Sequence, residues 1–449
     1  MSLLTPEQCL EVFGIVEKAA RSHGVKDVEL IVGGGSEALT RFANNTIHQN
    51  VAEENRQVSI RVLTDQRTAR AGTNRLDKGS LEAAVARAVE IARSVEPDSE
   101  LLPMVEPAAV TKVDRFSERT ARCTPEERAR IVTDAIRIVE SEGQTAAGIY
   151  STEQSIEAIL NSRGVFCYHV ETMARFSITA MAGDSSGWAK ESAVDLGAFS
   201  PAELARSAAR KAAQSKNPQE VEAGRHTVVL EPAAVLDLVG GIFGDFSATA
   251  MADQRSFLND RLGEALFSSG IQVADDVFHP LQSGAAFDGE GVPRKRLVLV
   301  KDGVPTDLAY SRVAALKAGV APTGHGYPVP NEYGEAPGNI VIAGGDRTLQ
   351  QLIESTERGI LVTRVWYIRE VDPYEKIMTG MTRDGTFLIE GGEVVGGVRN
   401  FRFNQGVIEL LKNVEGMTPE VRAAGEESHE MVVPAMKVSG FNFTEVTRF

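Results

Sequence analysis

Apolar positions recur near helical spacing through residues 6–23, where Leu10, Phe13, Ile15 and Val16 predict an amphipathic helix that stops at Gly24. The period then shortens. VELIV (28–32) predicts a strand, Gly33–Ser36 a turn, and the run from Leu39 to Ile47 a hairpin with Asn44-Asn45 at its tip. VSIRVLT (58–64) alternates with period two, and Asp65-Gln66 predicts a turn into a partner strand. Helical spacing returns at 79–94, a segment rich in alanine. Together these predict a layer in which helices cover one side of an antiparallel sheet.

Residues 95–115 carry Pro97, Pro103 and Pro107 without a strong period and read as a surface connection. Thr124-Pro125-Glu126-Glu127 offers an N-cap, a proline at the first helical position and a capping-box glutamate, so a helix is predicted to about Glu142. Asn161–Gly164 has hairpin chemistry, and Val165–Met181 reads as a long strand. A further alanine-rich helix is expected over 201–215, ended by Lys216-Asn217-Pro218. After His226 glycine and proline become frequent, and short β-rich runs such as RLVLV (296–300) with Lys301–Gly303 dominate. The expected fold class is α+β: an N-terminal α/β layer with an antiparallel sheet over 1–220, and a C-terminal β-rich domain over 221–449.

The 449 residues are 43% hydrophobic, enough to bury at least one full core. Lys and Arg total 47 against 62 Asp and Glu, a net charge of -15, so long-range electrostatics repel phosphate backbones and anionic membranes. Direct nucleic-acid binding is disfavoured on that ground. No apolar run of about 18 residues predicts a membrane span. Cys9, Cys123 and Cys167 are odd in number and widely spaced, which argues against a disulfide framework or a Cys-rich zinc site and favours a reducing, cytoplasmic compartment.

Several segments imitate known chemistry. Gly33–Ala38 fits G-x-G-x-x-A with Glu53 twenty residues after Gly33, as a dinucleotide site would have, but an extended run follows where a helix N-terminus is required. Gly183–Gly187 fits G-x-S-x-G, yet Trp188–Gly197 has no helical period, and a hairpin loop is the competing reading. Val365–Arg369 and Phe401–Phe403 interleave aromatics with arginines. Cross-strand packing explains that pattern, and a peptide groove is a second explanation, making Trp366 and Arg369 candidate substrate-binding residues. His325, between Gly324 and Gly326, is a third candidate: its imidazole faces either a cavity or solvent.

RFANNTIHQN (41–50), RVLTDQRTARAGTNRL (61–76), NSRGVFCYHVETMARF (161–176), PTGHGYPVPN (322–331) and the block from Asp346 to Gln405 resemble the TldD/TldE (PmbA, "modulator of DNA gyrase") metallopeptidase family. Its catalytic members carry HExxxH, two zinc-binding histidines and a glutamate on one helical face. Here the only His-Glu dipeptide is His429-Glu430, followed by Val433 and Pro434, which cannot complete the motif. The region corresponding to the zinc helix, 226–250, has neither His nor Glu between Pro232 and Asp245, and every cysteine lies within the first 167 residues, so the family's C-terminal cysteine ligand is missing too.

The resemblance therefore implies a TldE/PmbA-like, non-catalytic subunit of a metalloprotease complex that acts on unfolded or extended peptides. It implies no catalytic residue and no metal in this chain, zinc being held only by a TldD-like HExxxH partner, and a homo- or heterodimer. Two alternatives stay open. One is a divergent hydrolase using dispersed residues such as His226, His279 and His325; the other is a homodimeric peptide-binding scaffold.

Overall fold

The fold, described for residues 3–447 by a computed structural model, opens with helix α1 (Pro6–Ser22). Thr5 caps it: its hydroxyl accepts the Gln8 N–H, and the Gln8 side chain accepts the Thr5 N–H at 2.9 Å. Strands β1 (Asp27–Ala43), β2 (Thr46–Thr64) and β3 (Arg67–Thr73) follow, then α2 (Lys78–Ser94). After the connection come α3 (Glu118–Ala121), α4 (Pro125–Ser141), β4 (Thr145–Asn161), β5 (Phe166–Ala182), β6 (Ser185–Ala193) and α5 (Pro201–Gln214). The six strands form one antiparallel sheet in the order β3-β2-β1-β4-β5-β6.

The turns follow from residue chemistry. Asn44 and Asn45 (φ 50° and 58°) and Asp65 and Gln66 (φ 48° and 58°) adopt the left-handed backbone that a two-residue hairpin needs. Gly183 (φ 68°) turns β5 into β6, so the G-x-S-x-G segment is a hairpin. Thr124 caps α4 by accepting the Glu127 N–H; the reciprocal bond of a capping box is not formed.

One expectation is corrected. Gly33–Ser36 is not a turn: these residues lie inside β1, paired to β2 on one side and β4 on the other. The glycines permit close approach of the flanking strands, because a Cβ at Gly34 would stand 2.7 Å from the Asn55 carbonyl oxygen and one at Gly35 would run into that of Gln154. A mid-strand segment offers no helix N-terminus to a pyrophosphate, which removes the dinucleotide reading.

Beyond residue 220 the elements shorten: β7 (Gly224–Leu230), α6 (Pro232–Val239), α7 (Ala248–Ala252), β8 (Val273–Asp275), β9 (Leu297–Lys301), β10 (Val304–Pro305), α8 (Arg312–Ala318) and β11 (Ile340–Ile342). The last hundred residues add β12 (Arg358–Asp372), β13 (Ile377–Glu390), β14 (Glu393–Gly397), β15 (Phe401–Gly406), β16 (Val414–Met417), β17 (Val421–Ala423), β18 (Met431–Val433) and β19 (Met436–Val446). A mixed sheet runs β10-β9-β8-β11-β18-β17. The other sheet closes on itself, because β12 pairs with both β7 and β13 while β19 joins β7 to β15 and β15 joins β13. Closure leaves these five strands no free edge. Phe401 stacks on Phe443 at 4.4 Å, and Phe403 meets Phe441 edge-on at 5.5 Å, all fully buried. The protein is thus α+β, with an antiparallel sheet in its N-terminal part and a β-rich C-terminal region.

Candidate functional site

Helix α6 occupies the segment where the resemblance places a zinc helix. Pro232 sits in its first turn, and Ala234, Val235, Leu236, Leu238 and Val239 are buried in the main core. Asp237 is the one buried polar residue of the helix. Its Oδ2 accepts the Glu426 N–H at 3.0 Å, and its Oδ1 accepts those of Glu427 at 3.2 Å and Ser428 at 3.0 Å. Three successive main-chain N–H groups make an anion nest, and the nest is filled from within. Burial pushes the Asp237 carboxyl above its ordinary range, and the three donors oppose that shift.

The 425–430 loop is fastened on every side. A Cβ on Gly425 would run into the Asp237 carboxylate, and one on Gly240 would lie 2.5 Å from Ser428 Oγ, so the loop lies flat against α6 and the turn after it. Lys190 donates to the Gly425 carbonyl at 2.6 Å. Glu427 accepts the Tyr367 N–H at 2.8 Å, and Glu430 bridges Arg175 and Arg422, each at 2.7 Å. Despite burial, which pushes it up, these two guanidinium groups hold the Glu430 carboxyl below its ordinary value. His429, by contrast, is exposed.

A zinc ion needs three or four converging His, Cys, Asp or Glu donors. Among the described residues no three such side chains gather, and both oxygens of Asp237 are engaged by main chain. The donor set of α6 does not fit the metal. The dispersed histidines do not converge either: His226 lies against the Glu222 carbonyl and the rings of Phe401 and Phe443, while His279 faces Glu420 at 3.7 Å.

His325 is buried, so it is not a solvated loop residue. Its Nε2 lies 3.0 Å from Asp275 Oδ1 and its Nδ1 2.9 Å from Thr323 Oγ1. Asp275, fully buried on β8, also accepts the Gly338 and Asn339 N–H groups through Oδ2. Burial pushes its carboxyl up, yet His325, Arg294 and the Asn339 N–H together bring it below the usual value. The flanking glycines reflect tight packing, since a Cβ on Gly324 (φ 77°) would run into the Pro293 carbonyl and one on Gly326 would lie 2.9 Å from Glu290 Oε1.

Trp366 and Arg369 stand on β12, and no hydrogen bond, ion pair or ring contact among the described residues joins them to His325. Trp366 is flanked by two guanidinium groups, Arg383 at 5.0 Å and Arg364 at 5.6 Å, and Arg364 also covers Trp188 of β6 at 5.0 Å. Arg364 is buried and paired with Asp384, whose other oxygen accepts the Ser186 hydroxyl at 2.6 Å. The stack ties the first sheet to the closed ring. Arg369 stays exposed, stacked 4.4 Å from the centre of the Tyr367 ring and 3.5 Å from Glu427. Tyr367 itself (φ 56°) holds a backbone conformation rare for an aromatic residue, at an irregularity in the β12–β13 ladder.

A further concavity lies elsewhere. A cleft of about 600 Å³ opens between the first sheet and α7 and α8, with buried Arg61 and Glu290 in its wall and Tyr310, Arg312 and Tyr327 around it. Arg312 Nη1 lies 3.3 Å from Glu290 Oε2, and Arg61 lies 3.6 Å from Glu29. Its lining comes from segments more than 200 residues apart; the 61–76 and 322–331 blocks that carry the family resemblance contribute to it, but sequence reading named none of its residues as a site.

The site thus combines a long-stranded sheet, a closed β ring and an apolar helix directly after the ring strand β7. Three family models match: PmbA/TldA metallopeptidase domain 1 over residues 28–92, the central domain over 80–216 and the C-terminal domain over 223–445. The chain belongs to the PmbA/TldD metallopeptidase family. It is 27% identical over 333 residues to a metalloprotease of Methanothermobacter thermautotrophicus, covering 69% of this chain and 71% of that protein. It is 23% identical to Metalloprotease PmbA of Escherichia coli O157:H7, covering 85% of each. The crystal structure of TldE from Thermococcus kodakarensis shares the fold, with a TM-score of 0.85 at 21% identity over 96% of this chain and all of that one. No helix among the described residues is long and apolar enough to cross a membrane.

Proposed function

We propose that this chain is a non-catalytic, TldE/PmbA-like subunit of a metalloprotease complex, contributing surface for unfolded or extended peptides while a TldD-like HExxxH partner holds the zinc. One observation carries this reading. The helix that should present metal ligands presents apolar side chains to the core, and its single carboxylate is engaged by the N–H groups of residues 426–428. A water molecule cannot be polarised there without a bound cation. Trp366, Arg369 and His325 are the peptide-facing candidates from the sequence; of these, Arg369 is the exposed one. Three buried, unpaired cysteines suit a cytoplasmic setting.

The test is purification from the native cell followed by identification of the bound subunit, with elemental analysis and peptide-hydrolysis assays on the isolated chain. A co-purifying HExxxH protein, no stoichiometric zinc on the isolated chain and no chelator-sensitive hydrolysis by it are expected. Stoichiometric zinc with chelator-sensitive cleavage by the pure chain would establish a divergent hydrolase instead, and a homodimer without such a partner would establish a scaffold.

A further inference from the structure

The 600 Å³ cleft lies within the size range of small-ligand sites, and its chemistry is lopsided. Five carboxylate residues line it, Asp98, Glu100, Asp253, Glu290 and Glu332, against three basic ones, Arg61, Arg312 and Lys317. Most are already paired: Lys317 with Glu100 at 2.7 Å, Arg312 with Glu290, Asp253 with Arg255 at 2.9 Å, and Arg61 with Glu29 outside the cleft. Two exposed carboxylates remain without an ion-pair partner among the described residues. Glu332 makes no contact of that kind, and Asp98 accepts only the N–H of Glu100, at 2.8 Å. The lining also carries apolar side chains, among them Leu101, Leu102, Met251 and Leu308.

Such a site matches a side chain with a long hydrocarbon stem and a cationic head. A second concavity, of about 280 Å³, adjoins it at Tyr327, which lines both, and α7 supplies Ala248, Thr249, Met251 and Ala252 to the first and Ala250 to the second. Tyr327 and Tyr333, 43% and 65% exposed, stand at this junction. A ligand that fills both compartments is a chain, not a compact molecule.

We propose that this cleft binds an extended peptide segment bearing a lysine or arginine, with the basic head drawn to Asp98 and Glu332, the stem on the Leu101–Met251 wall and the flanking residues passing Tyr327. The proposal rests on the peptide-binding reading above and locates it away from Trp366 and Arg369.

The test is fluorescence anisotropy on the intact chain with three labelled eight-residue peptides that differ at one position, Lys, norleucine or Glu. The Lys peptide is expected to bind about tenfold or more tightly than the Glu peptide, with norleucine between them, and the gap should narrow in high salt. Asp98→Lys and Glu332→Lys together should reverse that order. Both positions are exposed, so circular dichroism should show an unchanged fold. Ala252→Trp, which fills the exposed mouth, should abolish binding of all three.

Equal binding of the three peptides, or wild-type binding by the Ala252→Trp variant, would overturn the proposal. So would displacement of the Lys peptide by n-butylamine at equal affinity, which would make the ligand a free amine. The subunit reading fails separately: if no HExxxH protein co-purifies yet the Lys peptide binds and Ala252→Trp blocks it, the cleft stands without the complex.

Discussion

Asp237 Oδ1 and the main-chain N–H of Ser428 stand 3.0 Å apart, joining a core helix to a loop nearly two hundred residues later. With the Glu426 and Glu427 donors on the same carboxylate, the contact is a clasp that holds the 425–430 loop against α6. Asp237→Asn would turn a donor toward N–H donors and leave buried groups unmatched. It should lower stability by roughly 2–4 kcal/mol in urea denaturation and speed amide exchange at 426–428 ahead of global unfolding.

The Glu430 bridge makes stability pH-dependent. Its carboxyl titrates below the ordinary glutamate value in the folded chain, so the contribution is complete above the unfolded value of about 4.3 and is lost as pH falls through the folded value. Melting temperature should therefore fall below about pH 4, and less steeply in Glu430→Gln, which starts lower at neutral pH because Arg422 loses its carboxylate and Arg175 keeps only Glu153.

Arg364 reports on itself. The chain has two tryptophans, and both stack on this one guanidinium. Arg364→Lys keeps the charge but loses the planar fork and the stacking, so it should cost about 2–3 kcal/mol. Intrinsic tryptophan emission should change at native conditions, before any unfolding.

Two glycine-to-alanine changes should have opposite signs. Gly35→Ala drives a methyl group into the Gln154 carbonyl and forces β1 from β4, at a cost of about 3 kcal/mol or more. Gly14→Ala, on an exposed face of α1 with nothing near its new carbon, should stabilise by about 1 kcal/mol. Thermal denaturation of the two variants checks both.

Local features were legible where one residue type answers one local demand. Asn44-Asn45 and Asp65-Gln66 signalled hairpins because they tolerate the left-handed backbone, and Thr124-Pro125 marked a helix start through its N-terminal groups. Gly33–Gly35 misled because glycine serves a turn and a close strand–strand approach equally, and only the neighbours Asn55 and Gln154 distinguish them. The same ambiguity hid the burial of His325, whose partner Asp275 is fifty residues earlier. Asp237, a lone acid in an apolar run, was passed over in the sequence because its meaning depends on N–H groups of a distant loop. Residues 61, 98, 290 and 332 share no local pattern, so the cleft could not be read before the chain was folded.

Strands β1 and β4 each run through two separate apolar clusters. At one end Val28, Leu30, Ile156 and Leu160 pack with α1 and α2; at the other Phe42, Ala146 and Tyr150 pack with α4 and α5. Residues 27–43 and 145–161 therefore belong to both halves of the sheet, although the 95–115 connection separates them in the chain. Cutting that connection would sever the polypeptide without severing the sheet. Two fragments expressed together, 1–100 and 101–449, should reassemble into a protein indistinguishable in solution from the uncut chain, whereas neither piece alone would find a surface to complete it.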